Sequence, residues 1–259
     1  MESDLRKYEK IPHGDMPGDK ICIDENHVKK AEIILPILEK EIEQVKKQGK
    51  SKVVVAVCGG SGVGKSEIAS LLAYMLDEKG KKCYVLSGDN YPHRIPCEND
   101  KMRENVYKEG GREALAAYLG TQKEIDFEKV NEILKEFKEG QGKISLKRMG
   151  RTSEELWYDE IDFSETEILF LEWTHGNSDY LTEVDIPILL NSTPEETLAH
   201  RKARNRDGNV DSPFVMMVLE MEQKMLNRQA HKAKIIVTKS GKLINFEEYA
   251  QIMGIEEGR

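Results

Sequence analysis

Eight consecutive residues, Gly59-Gly60-Ser61-Gly62-Val63-Gly64-Lys65-Ser66, carry the most specific chemistry in the chain. Their spacing, G-x-x-x-x-G-K-[ST], is that of a loop that wraps a polyphosphate. Glycines let the backbone curl, so that successive N–H groups face one anion. Lys65 can reach β- and γ-phosphate oxygens, and the Ser66 hydroxyl can take a place on Mg²⁺. A helix that starts here adds the positive end of its dipole. ATP with Mg²⁺ is the expected ligand of this loop.

Two carboxylates stand where phosphoryl transfer needs them. Asp89 lies three residues past the apolar run Cys83-Tyr84-Val85-Leu86. A carboxylate beyond the carboxyl end of a strand can take the proton of an attacking hydroxyl. The alternative is that Asp89-Asn90 is turn chemistry alone. Tyr91, His93 and Arg94 follow in the same segment and are candidate contacts for the phosphoryl acceptor. Glu172 ends the run Glu167-Ile168-Leu169-Phe170-Leu171, and an acid at such a strand tip can hold Mg²⁺ directly or through water. His175 either orients substrate or fills a hydrogen-bonding role.

Basic residues fall in two clusters. Lys147, Arg148 and Arg151 end the stretch 143–149. They form either a solvated surface or an anion trap that binds a charged acceptor in bidentate fashion. Arg201 and Arg204 precede Asp207-Gly208 together with His200 and Arg206. That pattern suits a lid around 200–212 that closes on phosphates and stabilises the transferring group.

These side chains need strands and helices to hold them. Lys52 to Cys58 is a short β-branched run, the signature of a strand buried on both faces. Glu67 to Leu76 has apolar residues at helical spacing. Further strands are expected at 83–86, 143–149, 167–171, 185–190 and 234–238. Val28, Ala31, Leu35, Leu38, Ile42 and Val45 recur three and four apart, predicting a helix from Asn26 to about Gln48, kinked at Pro36. That helix either covers the sheet, the favoured reading, or makes a subunit contact in a homo-oligomer. Asp126 is placed to cap a helix over Phe127 to Phe137, and Thr193-Pro194-Glu195-Glu196 to open another with a capping box. The expected fold is α/β, a doubly wound, mainly parallel sheet of about five strands with helices on both faces and a helical lid. An irregular arm and the amphipathic helix occupy 1–50, and one domain takes 51–259.

Composition narrows the partners. Among 259 residues, Lys plus Arg is 39 and Asp plus Glu is 47, so the net charge is −8. Such a chain is a poor general binder of nucleic acid, and local basic clusters read as sites for small anions. No apolar run approaches the ~20 residues of a membrane span, and the first residues lack the apolar core of a signal peptide. Cys22, Cys58, Cys83 and Cys97 form no C-x-x-C pair. Reduced thiols and a cytoplasmic location are expected.

With these residues placed, the chain resembles the uridine kinase and phosphoribulokinase superfamily of P-loop small-molecule kinases over about residues 50–240. Val85-Leu86-Ser87-Gly88-Asp89-Asn90-Tyr91 is similar to the segment that carries this family's catalytic aspartate. Leu169-Phe170-Leu171-Glu172 resembles the strand whose glutamate attends the metal, Arg201-Lys202-Ala203-Arg204 the arginine-bearing lid, and Ala233-Lys234-Ile235-Ile236 the strand before the adenine-contacting turn. The resemblance implies transfer of the ATP γ-phosphoryl group to a small-molecule hydroxyl, with Lys65, Asp89, Arg201 and Arg204 in catalysis and Ser66 and Glu172 on the metal. Where uridine kinases carry a Tyr-Asp-Phe segment, this chain reads Leu146-Lys147-Arg148. That replacement points to an anionic, sugar phosphate-like acceptor. Leu86-Ser87-Gly88-Asp89-Asn90 is also similar to a motif of adenylylsulfate kinases. An adenylylsulfate kinase-like enzyme, a nucleoside kinase, and a nucleotide-dependent regulatory ATPase or binding protein are the alternatives.

Overall fold

The computed structural model describes residues 5–8, 11, 13–204 and 211–255, without the side chains of Ala203 and Arg204. The described strands are β1 (Val53–Gly59), β2 (Cys83–Ser87), β3 (Lys143–Met149), β4 (Leu156–Asp162), β5 (Ile168–Glu172), β6 (Ile186–Leu190), β7 (Ile235–Val237) and β8 (Leu243–Ile244). The helices are α1 (Glu25–Lys47), α2 (Lys65–Asp77), α3 (Pro96–Ala116), α4 (Phe127–Lys138), α5 (Pro194–Arg204), α6 (Pro213–Gln229) and α7 (Phe246–Met253). None of them is long and apolar enough to cross a membrane.

Every residue of β1 is buried, as its β-branched run demands. β1 lies inside a six-stranded sheet of order β2-β5-β1-β6-β7-β8. All pairs are parallel except β7 with β8. Alternate side chains face opposite layers. Val53, Val55 and Val57 pack with α1 and α2, while Val54, Leu169 and Leu171 pack with Phe127, Val130 and Ile133 of α4. Cys58, Leu189 and Ile236 meet Leu226 of α6 and Tyr249 of α7. Each fully buried aliphatic side chain contributes about 1.5–3 kcal/mol, so the sheet is anchored from both sides. Because the strands run parallel, their carboxyl ends gather on one edge, where the phosphate loop leaves β1.

Two elements differ from expectation. The stretch 143–149 is a strand, but it pairs antiparallel with β4 in a hairpin outside the main sheet. Its burial alternates, Ile144 and Leu146 inside and Lys143 and Ser145 outside, unlike the doubly buried β1. α1 runs from Glu25 through Pro36 to Lys47, and Pro36 sits on the exposed face, where solvent can satisfy the carbonyl it leaves unbonded. The buried row of α1 includes Ile34 in place of Leu35 and shares a core with β1 and α2.

Candidate active site

The loop between β1 and α2 has the shape its glycines permit. Gly64 caps α2 with φ 94°, a left-handed conformation that costs a residue with a Cβ. A Cβ there would also lie 2.9 Å from Nε2 of His27, near the start of α1. Lys65 folds over the loop and donates from Nζ to the Gly60 carbonyl at 3.2 Å. Ser66, one residue on, donates from Oγ to Glu172 Oε2 at 3.1 Å. Glu172 ends β5 beside Val57 of β1 and Ser87 of β2, because the three strands pair in that register. Ser87 Oγ donates to the other carboxylate oxygen, Oε1, at 2.6 Å. Burial and the neighbouring Asp89 charge push the Glu172 carboxyl up to about 7.

Asp89 is exposed in the short turn after β2. The turn is backed by Trp173: a Cβ on Gly88 would lie 2.1 Å from the indole ring, so only glycine lets backbone and ring meet. Burial raises the carboxyl of Glu222 on α6, which also feels the charges of Arg103, Lys65 and Asp89. α6 therefore borders the same cleft; a Cβ on Gly60 of the loop would lie 3.8 Å from Oε1 of Gln223. Arg103 of α3 joins Glu222, at 3.5 Å, to the buried Glu124, at 2.5 Å. Glu124 also accepts from Asn99 Nδ2 at 3.0 Å and from the Gly120 N–H at 2.7 Å.

The remaining expected residues divide. His175 is half-buried, edge-on to Trp173 at 5.4 Å, and burial pushes its imidazole down to about 4, so it is neutral near pH 7. Arg94 donates to Tyr118 Oη at 3.3 Å, and exposed His93 meets the Gln122 carbonyl. Lys147 donates to the Pro92 carbonyl at 2.9 Å, tying the hairpin to the turn after β2. Arg151 is exposed, and its backbone N–H donates to Glu155. Tyr91 is a correction: its ring is fully buried in the α4 core and does not line the cleft. Arg201 lies against the loop, 2.9 Å from where a Gly62 Cβ would sit, but its guanidinium donates to the Pro194 carbonyl and Thr197 Oγ1 within α5. The Arg204 side chain, Arg206 and residues 205–210 of the expected lid lie outside the described residues.

Arg148 is the second correction. Its guanidinium is 6% exposed and donates from Nη1 to Asp15 at 2.7 Å, from Nε to Asp159 at 3.0 Å and from Nη2 to Tyr84 Oη at 3.0 Å. A guanidinium so committed is a structural counter-charge, not an anion trap. Arg148→Ala is expected to cost about 3–5 kcal/mol in urea unfolding, because Asp15 is left buried without its partner. Unchanged stability with a raised acceptor KM would restore the anion-trap reading. Sequence patterns also missed Asp15, His27, Arg103 and Glu222. Only Ser87 had a local signal, its place just before Gly88-Asp89.

The Phosphoribulokinase / Uridine kinase family model matches residues 54–205. The bifunctional alpha-galactosidase/sucrose kinase AgaSK of Mediterraneibacter gnavus is 50% identical over 191 residues, 74% of this chain and 20% of that protein. The chain thus spans a fifth of that relative's length. Adenylyl-sulfate kinase 1, chloroplastic, of Arabidopsis thaliana is 52% identical over 42 residues, 16% of this chain and 15% of that one. In fold, the chain is similar to D-glycerate 3-kinase from Cryptococcus neoformans var. grubii, with a TM-score of 0.54 at 10% identity, over 86% of this chain and 99% of that one. Because the family match spans more than half of the sequence and the fold agrees with it, the chain belongs to the phosphoribulokinase/uridine kinase family of P-loop kinases.

Proposed function

We propose that the chain transfers the γ-phosphoryl group of ATP to a hydroxyl of an uncharged sugar. The observation that carries phosphoryl transfer is the meeting of Lys65 and Ser66 with Glu172 at one sheet edge, with Asp89 close enough to perturb Glu172. The loop amides and Lys65 hold the triphosphate. Asp89 takes the proton of the acceptor hydroxyl as its oxygen bonds to the γ-phosphorus. The bond from that phosphorus to the β–γ bridging oxygen breaks, and ADP leaves with the electron pair. The Ser66 and Glu172 oxygens are hard donors suited to Mg²⁺, which binds through one or two carboxylates together with phosphates. When bound, Mg²⁺ supplies neutralisation of phosphate charge.

The acceptor class follows from charge. Arg148 is neutralised by Asp15 and Asp159 and offers no spare charge to an anion, while Asp89 and Glu172 border the cleft and Glu222 beside them is paired with Arg103. A second anion among them would be repelled, whereas sugar hydroxyls can donate to carboxylates. The relative named as a sucrose kinase supports the same class. The test is ADP formation with neutral mono- and disaccharides, sugar phosphates, uridine, adenylylsulfate, and no acceptor. A neutral saccharide is expected to give the highest kcat/KM. A best acceptor that is anionic or a nucleoside, or a rate that ignores every acceptor, overturns the proposal.

A further inference from the structure

We propose that Asp15, in the N-terminal arm, is a positioning residue for phosphoryl transfer, holding the turn that presents Asp89. The inference rests on the base role proposed for Asp89. The Asp15 side chain is nine-tenths buried, and four donors converge on its carboxylate. Oδ1 accepts from the Ser87 N–H at 2.8 Å and from Asn90 Nδ2 at 3.0 Å. Oδ2 accepts from Tyr84 Oη at 2.9 Å and from Arg148 Nη1 at 2.7 Å.

Ser87 and Asn90 bracket Asp89 on either side, so both ends of its turn are tied to one carboxylate. Asn90 is fixed at its other atom too, since its Oδ1 accepts from the Met149 N–H at 3.0 Å. Asp15 thus joins the end of β2 to the β3–β4 hairpin. The arm also runs past the metal-side carboxylate: a Cβ on Gly14 would lie 3.2 Å from Glu172 Oε1. Asp15 falls outside the matched stretch 54–205, so the arm adds a constraint on the turn from beyond the family region. Charge-assisted bonds of this kind hold geometry more tightly than neutral ones, and a base displaced by about 1 Å can lose about a hundredfold in rate.

The test uses the full chain carrying Asp15→Asn or Asp15→Ala, each alone and combined with Asp89→Asn, after circular dichroism has shown the native fold. The readouts are kcat with the best acceptor, KM for ATP and melting temperature. Each Asp15 variant is expected to lose about tenfold to a hundredfold in kcat. KM for ATP should barely move, because the phosphate loop is held by other elements. In the Asp89→Asn background the Asp15 change should cost nothing more, since the group it positions is already gone. If Asp15→Ala does not fold, the isosteric Asp15→Asn carries the test alone. Wild-type kcat in a folded Asp15 variant overturns the inference, even if its melting temperature falls. So do losses that multiply with Asp89→Asn, because Asp15 would then act elsewhere. If Asp89→Asn itself keeps wild-type kcat, it is the base reading that fails, and this inference with it.

Discussion

Lys65→Ala is expected to leave a folded protein whose kcat has fallen by at least about 10³-fold, the scale of removing a preorganised charge from a phosphoryl-transfer site. Lys65 already lies over the loop, donating to Gly60 at 3.2 Å, so little reorganisation separates that contact from one to a γ-phosphate oxygen. Arg201 also lies beside the loop, but its Nη1 donates within α5 and its Nη2 to Met216. The fold should tolerate the change, since the Lys65 side chain is half-buried and its Nζ bonds to the loop's own Gly60 carbonyl. Steady-state kinetics and a thermal melt together check this. Turnover near wild type would remove the loop from the reaction.

Asp89→Asn is expected to lower kcat by roughly 10²–10⁴-fold, the usual contribution of a general base. Asparagine keeps the size and much of the turn chemistry of aspartate but cannot take the proton. The Gly88–Trp173 contact and the Ser87 and Asn90 bonds to Asp15 should keep the turn in place. ATP binding should change little, because Lys65 and the loop amides belong to β1 and α2. Titration of ATP binding beside kcat separates the two effects. An unaltered kcat would return Asp89 to simple turn chemistry.

What the sequence made legible was local. Eight contiguous residues specify the loop, and the β-branched run before it specifies a doubly buried strand. Asp126 reads as a cap because Lys129, whose N–H it accepts, is three residues on. The acidic tip Glu172 is visible because a charge closes an apolar run. Contacts between distant segments left no such trace. Arg148 and Asp15 lie 133 residues apart, and the arm around Asp15 has no periodicity to announce a buried carboxylate. Read alone, Lys147 and Arg148 look like a basic pair. The hairpin faces them apart, one to the Pro92 carbonyl and one to Asp15. Tyr91 sits in a polar segment, yet its ring fills the core. On α1 one position differs, Ile34 buried in place of Leu35, while Val28, Ala31, Leu38, Ile42 and Val45 are buried as the spacing predicts.

The central claim is tested most directly by following the γ-phosphoryl group itself. ATP labelled in that group, incubated with the chain and the neutral saccharide that best stimulates ADP formation, should yield a labelled sugar monophosphate by mass spectrometry. One ADP should form for each labelled sugar. Label that appears only as inorganic phosphate, with the saccharide unchanged, would contradict the account.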